Sequence, residues 1–225
     1  MLSGNPIYHA PLEALWVTRP EAVDLQASKV QTYPENVFAG SWEDIAPIFP
    51  SDLVVAATDR TAIQLQINEV TQKMKIPCVF GGCYEEALGG EVLYTLPDQA
   101  TPCLACLRAG VKQPIQNPEI DYSTTQAAED YQGQPGLHAA VDFVTCVEVH
   151  ICLAILLQGV ETSRLQELID PRFNFLLIGG ALAAGFYRFR KPFDIFFQPL
   201  NGPRSSCLVC QIQHAQQQNN RKNME

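Results

Sequence analysis

A chain of 225 residues, 47% hydrophobic and 17% charged, can bury the core of one large domain and leaves little room for long disorder. Fifteen Lys and Arg against 24 Asp and Glu give a net charge of −9, which argues against a sequence-independent grip on nucleic-acid phosphates and favours a small molecule or a protein with a basic face. The opening "MLSGNPIYHAPLEALW" has neither a basic n-region nor a continuous apolar run, so the eight cysteines point to a reducing, cytoplasmic setting rather than a secreted disulfide scaffold.

Residues 1–50 show no decisive period; "PLEALWVT" and "NVFAGSWEDIAPIF" could each supply a strand or a half-turn of helix. The pattern sharpens at 52–81. "DLVVAAT" is a short, continuously apolar run, as expected of a strand covered on both faces. "DRTAIQLQINEVTQKMK" follows with Ile63, Ile67, Val70 and Met74 at helical spacing, and Thr58 or Asp59 can cap its first turn. "IPCVFGG" is a second buried strand, and strand, helix and strand in this length predict a βαβ unit in a parallel sheet.

Beyond it come a glycine-bearing loop, "CYEEALGG", an alternating strand, "EVLYTL", and the polar stretch 107–135, which is expected to be a long loop. Residues 136–158 are long and apolar enough to span a bilayer, but His138, Asp142, Glu148 and His150 would be costly in lipid. A helix buried in a soluble core is predicted instead, with His138 and His150 as satisfied core histidines and no membrane partner. "RFNFLLI" and "FDIFFQPL" predict two further strands. The whole reads as one domain over 1–212 and a polar tail over 213–225.

Eight cysteines fall into two kinds. Cys78, Cys146 and Cys152 lie in apolar runs and are expected to be small core residues, while Cys83 stays open. Cys103 and Cys106 in "TPCLACL", and Cys207 and Cys210 in "SSCLVCQ", form two Cys-x-x-Cys pairs, each directly after a predicted strand. Two such pairs complete a closed, tetrahedral zinc site if their strands are neighbours; two disulfides or unligated thiols are the alternatives. A thioredoxin-type redox pair would need to open a helix after a strand, and neither pair is expected to have that setting.

In open α/β sheets ligands bind at the carboxyl ends of parallel strands. "DLVVAATD" delivers Asp59 to such an end, where it could hold Mg²⁺ against a nucleotide's phosphates or merely cap the helix. "NFLLIGGALAAGFYRF" offers Gly179, Gly180 and Gly185 after an apolar run, but their spacing fits a packing turn and not a phosphate loop.

The stretch "DLVVAATDRTAIQLQINEV…IPCVFGGCYEEALGGEVLYTLPDQATPCLACL", the helix "PGLHAAVDFVTCVEVHICLAILL" and the closing "SSCLVC" resemble the second half of the ThiF/MoeB/E1-like adenylating superfamily over roughly 40–212. The resemblance implies a Rossmann-like α/β fold with a mostly parallel sheet, here apparently truncated at its N-terminus. It implies structural Zn²⁺ on Cys103, Cys106, Cys207 and Cys210, and Mg·ATP on Asp59. Asn68 matches the family's helix asparagine, and Lys29 could match the lysine before its third strand. The implied activity is adenylation of the C-terminal carboxylate of a ubiquitin-like or sulfur-carrier protein, by a homodimer or with a completing subunit.

Three departures accompany the resemblance. Gln64 stands where the family has an arginine, with Arg60 as a substitute facing phosphate. Residues 107–135 contain no cysteine for thioester transfer, and residues 1–50 contain no Gly-x-Gly-x-x-Gly loop. These departures favour an alternative, a non-catalytic or split-subunit scaffold that keeps the carrier-binding half. A redox protein working through the cysteine pairs is a third reading.

Overall fold

The computed structural model describes residues 51–58, 61–84, 89–109, 138–179, 194–200 and 202–211. Five of its strands form one sheet in the order β1 (Val54–Ala56), β2 (Cys78–Cys83), β3 (Gly89–Thr95), β4 (Phe175–Gly179) and β5 (Asp194–Gln198). Helix α1 (Thr61–Met74) links β1 to β2, α2 (Leu104–Arg108) follows β3, and α3 (His138–Leu156) precedes β4.

The predicted βαβ unit is present, with β1 parallel to β2 and Val54 opposite Cys78. The expectation of a mostly parallel sheet holds only for this pair among the described strands, because the other three pairings are antiparallel. Tyr84 already bonds back to Gly89, its N–H 2.9 Å from the carbonyl oxygen. So short a connection can only make a hairpin, since a parallel return needs a crossover of a dozen residues or more.

Alternation along the strands divides the interior into two cores. Cys78 and Phe80 of β2, Leu93 of β3 and Phe175 and Leu177 of β4 pack with Ile67 of α1 and Leu104 of α2. On the opposite face Val79, Val92, Tyr94, Leu176 and Ile178 pack with Val144, Ile151 and Ile155 of α3. The strands are therefore apolar on both faces, as the runs "VVA" and "FLLI" required. Burying a side chain such as Ile151 contributes about 2 kcal/mol.

Helix α3 departs from the buried helix expected. By length and composition it could cross a membrane, yet only Val144, Ile151, Ala154 and Ile155 are buried. Val149, Leu153 and Leu156 are 47%, 42% and 50% exposed. A helix lying on one face of a sheet buries one stripe, and among the described residues no further layer covers the other. His138 and His150 are exposed, not core histidines: His138 pairs with Asp142 at 3.3 Å, and the His150 ring nitrogen lies 2.7 Å from the Cys146 carbonyl oxygen. Cys78 is buried as expected, but Cys152 is half-buried and Cys146 exposed.

Gly81 and Gly82 stand in β2 as expected, whereas Gly89 and Gly90, expected in the loop "CYEEALGG", stand in β3. A Cβ on Gly90 would lie 2.7 Å from a Val144 methyl and 2.6 Å from the Gly82 carbonyl oxygen. One on Gly81 would lie 2.6 Å from the Glu148 carboxylate. Helix α3 approaches the hairpin this closely only because those positions lack side chains.

Candidate metal centre and strand-end site

The chain turns after β3 and starts α2 at Cys103, whose extended backbone puts it at the N-cap. Cys106 lies one turn further on, and the second pair opens a turn of helix over 208–211 in the same way. Contrary to the expectation, then, the first pair does open a helix after a strand. Its partners decide what it does: the four sulfurs lie within 4.8 Å of one another, all four residues buried. Sγ separations are 3.7 Å for Cys103–Cys207, 3.5 Å for Cys106–Cys210 and 3.4 Å for Cys103–Cys210.

A tetrahedral ion with Zn–S bonds of about 2.3 Å sets its sulfurs about 3.8 Å apart. A disulfide would bring them to about 2.0 Å. The cluster fits the ion, and the eight cysteines are free thiols. Cys106 is pulled down because it accepts from the Cys103 and Cys210 thiols and from the Arg204 N–H, whereas Cys103, donating to Cys106, is pushed up to about 12. A cation that replaces the shared protons would relieve this competition. Four thiolates fill a tetrahedron, so the site has no open position for a substrate.

Two wholly buried asparagines hold Cys103 from either side. Asn68 on α1 accepts the Leu104 N–H at 3.0 Å through Oδ1. Asn174, just before β4, donates to the carbonyl oxygens of Tyr94 and Pro102 at 2.7 and 2.8 Å. The resemblance implies a cofactor-binding role for Asn68; its Oδ1 faces the metal corner, and its Nδ2 has no partner among the described residues. Asn174 belongs to none of the sequence motifs. A lone asparagine in "RFNFLLI" was the available signal, since a polar residue entering a buried strand must satisfy something.

At the other candidate site, β1 ends at Ala56 and α1 begins at Thr61. Asp59 and Arg60, like Lys29, lie outside the described residues. Gln64 is buried, and its Nε2 donates to the Thr58 carbonyl oxygen at 2.6 Å. It ties the first turn of α1 to the end of the strand, which is where the family's arginine would stand. Cys83, at the end of β2, is exposed, and burial pushes its thiol up, with the Glu148 carboxylate adding to the shift.

The sequence matches the ThiF family over residues 21–180. The chain belongs to the ThiF family. The match starts earlier than the motif-bearing stretch and ends before Cys207 and Cys210, which only the fold brings to the site. Among solved structures, E. coli MccB with MccA-N7isoASN is similar at 13% identity with a TM-score of 0.52, covering 79% of this chain and 45% of that one. E. coli MccB with ATP gives 13% identity and a TM-score of 0.49 over 79% and 44%. The chain thus spans less than half the length of these relatives. No curated protein sequence matches it. The ThiF-family assignment and the α/β architecture agree with the resemblance carried by the motifs.

Proposed function

We propose that this ThiF-family chain serves adenylation: with Mg·ATP it activates the C-terminal carboxylate of a ubiquitin-like or sulfur-carrier protein. Family membership over 21–180 carries the reading. In the reaction a carboxylate oxygen of the partner attacks the α-phosphorus of ATP. The bond to the bridging oxygen breaks, and pyrophosphate leaves with that electron pair, giving an acyl-adenylate. The work left to the protein is positioning and charge neutralisation, without a protein nucleophile.

Asp59, after β1, would hold Mg²⁺, which neutralises phosphate charge, and Arg60 and Lys29 would face the phosphates. Asn68 would contribute from behind, by keeping α1 against the start of α2. Cys103, Cys106, Cys207 and Cys210 would hold a structural Zn²⁺ that fixes this corner of the fold. The stretch "GGCYEEALGG" at 81–90 would lie beside the path of the partner's tail. A net charge of −9 suits a partner with a basic face. A second copy or a completing subunit would supply the rest of the nucleotide site, in a cytoplasmic setting.

One observation favours the scaffold reading. Gln64 bonds to the strand end where the family's arginine would offer a cation. Calorimetric titration of the zinc-loaded chain with Mg·ATP, repeated with Asp59→Ala, separates the two. Micromolar binding that vanishes in the variant supports adenylation. Absence of heat in both proteins, with zinc at full occupancy, overturns nucleotide binding by this chain and leaves the scaffold.

A further inference from the structure

The α1 side of the hairpin carries a linked trio of polar side chains that neither the metal centre nor the strand-end site uses. Glu91 stands on β3 opposite Gly82. One carboxylate oxygen accepts the Tyr84 hydroxyl at 3.0 Å, and the other accepts Arg108 Nη2 at 2.5 Å. Both charged side chains are mostly buried, 15% exposed for Glu91 and 23% for Arg108. Burial and the neighbouring Glu91 carboxylate push the Tyr84 phenol far up, so it remains a donor at every working pH.

The placement of these groups is specific. Arg108 is the last residue of α2, a five-residue helix that is capped by Cys103 and contains Cys106. Two positions apart on a helix point to different sides, so Cys106 turns to the thiol cluster while Arg108 reaches the sheet. Tyr84 is the first residue beyond β2, and its N–H closes the hairpin on Gly89. One short rigid path therefore joins a metal-ligating helix to the hairpin end, through a carboxylate held at both oxygens.

We propose that Arg108–Glu91–Tyr84 is a positioning link by which occupancy of the four-thiol site fixes the hairpin end at Tyr84–Gly89. Glu91 is its central residue. That the hairpin end borders the path of the partner's tail rests on the adenylation reading; the link itself does not. Charge-assisted bonds at both ends keep its geometry tight, and a buried guanidinium deprived of its carboxylate cannot hold the same position.

Amide hydrogen exchange on the full chain, with bound zinc quantified, tests the link without any activity. In zinc-loaded Glu91→Gln and Arg108→Met the Tyr84 amide is expected to exchange about tenfold or more faster, while the Ile151 amide in α3 is unchanged. Arg108→Lys, which keeps the charge, is expected to restore most of the protection. Stripping zinc from the unsubstituted chain is expected to speed Tyr84 by a similar factor and to add nothing in Glu91→Gln. Unchanged Tyr84 protection in the zinc-loaded variants would overturn the link, as would an equal, additive effect of stripping in both proteins. If stripping also frees Ile151, the fold has opened as a whole, and the zinc-loaded variants alone decide. Failure of ATP binding would leave these exchange results standing, so the two proposals fail separately.

Discussion

Two carboxylates lie on opposite faces of one hairpin, and they are treated differently. Glu91, on the α1 side, gives one oxygen to Tyr84 and the other to Arg108. Glu148, on the α3 side, rests on Gly81 with its Oε1 buried and unpartnered among the described residues. Burial raises its pKa above the ordinary 4.5, so the fold favours its neutral form. The metal-side face adds to its apolar core directional bonds converging on α2. The other is held by apolar packing made close by missing side chains, and it tolerates an awkward group.

The strongest challenge to that contrast is at the thiols. Cys103→Ser is expected to abolish stoichiometric zinc and to cost more than about 4 kcal/mol, the far tail of single substitutions. Metal analysis with a denaturant titration checks it; a variant that loses zinc yet unfolds at the same denaturant concentration would show that the corner does not depend on its ion. On the α3 face, Gly90→Ala drives a methyl into Val144 and the Gly82 carbonyl, for an expected cost of about 1–3 kcal/mol. Gly82→Ala is the control, because its new methyl would meet only a Glu91 carbon at 3.6 Å. Equal midpoints for the two variants would remove close packing as the device of that face.

The smallest effect concerns Glu148→Gln and depends on pH. In the folded chain the carboxyl ionises at higher pH than in the unfolded chain. Below the unfolded value both states are neutral and the group has no effect. As pH rises past 4.5 the unfolded chain gains free energy by ionising first, so wild-type stability falls until the folded carboxyl has ionised too. The variant lacks this loss, and its stability relative to wild type is expected to climb with pH above 4.5 and then level off. Denaturation midpoints of the two proteins across that range test it, and a flat difference would mean the carboxyl is comfortable where it lies.

The amino-acid sequence by itself determined the features that depend on residue type and short spacing. The pair Cys103 and Cys106, read with Cys207 and Cys210, foretold one four-sulfur cluster, because one turn aims two sulfurs the same way wherever the partner pair comes from. The apolar runs of β1, β2 and β4 and the period of α1 foretold strand–helix–strand by the same local logic. Tertiary structure decided what depends on distant neighbours. Gly89 and Gly90 resembled loop punctuation but pair within β3, and Gly81 and Gly90 serve helix approach, which only the position of α3 reveals. Antiparallel pairing of β2 with β3 follows from a turn at Tyr84–Gly89 that local pattern could not distinguish from a loop. Asn68 and Asn174 clamp the residues flanking Cys103 from 36 and 72 positions away in the chain. A buried amide announces that it must bond to something, and the fold alone chooses the partner.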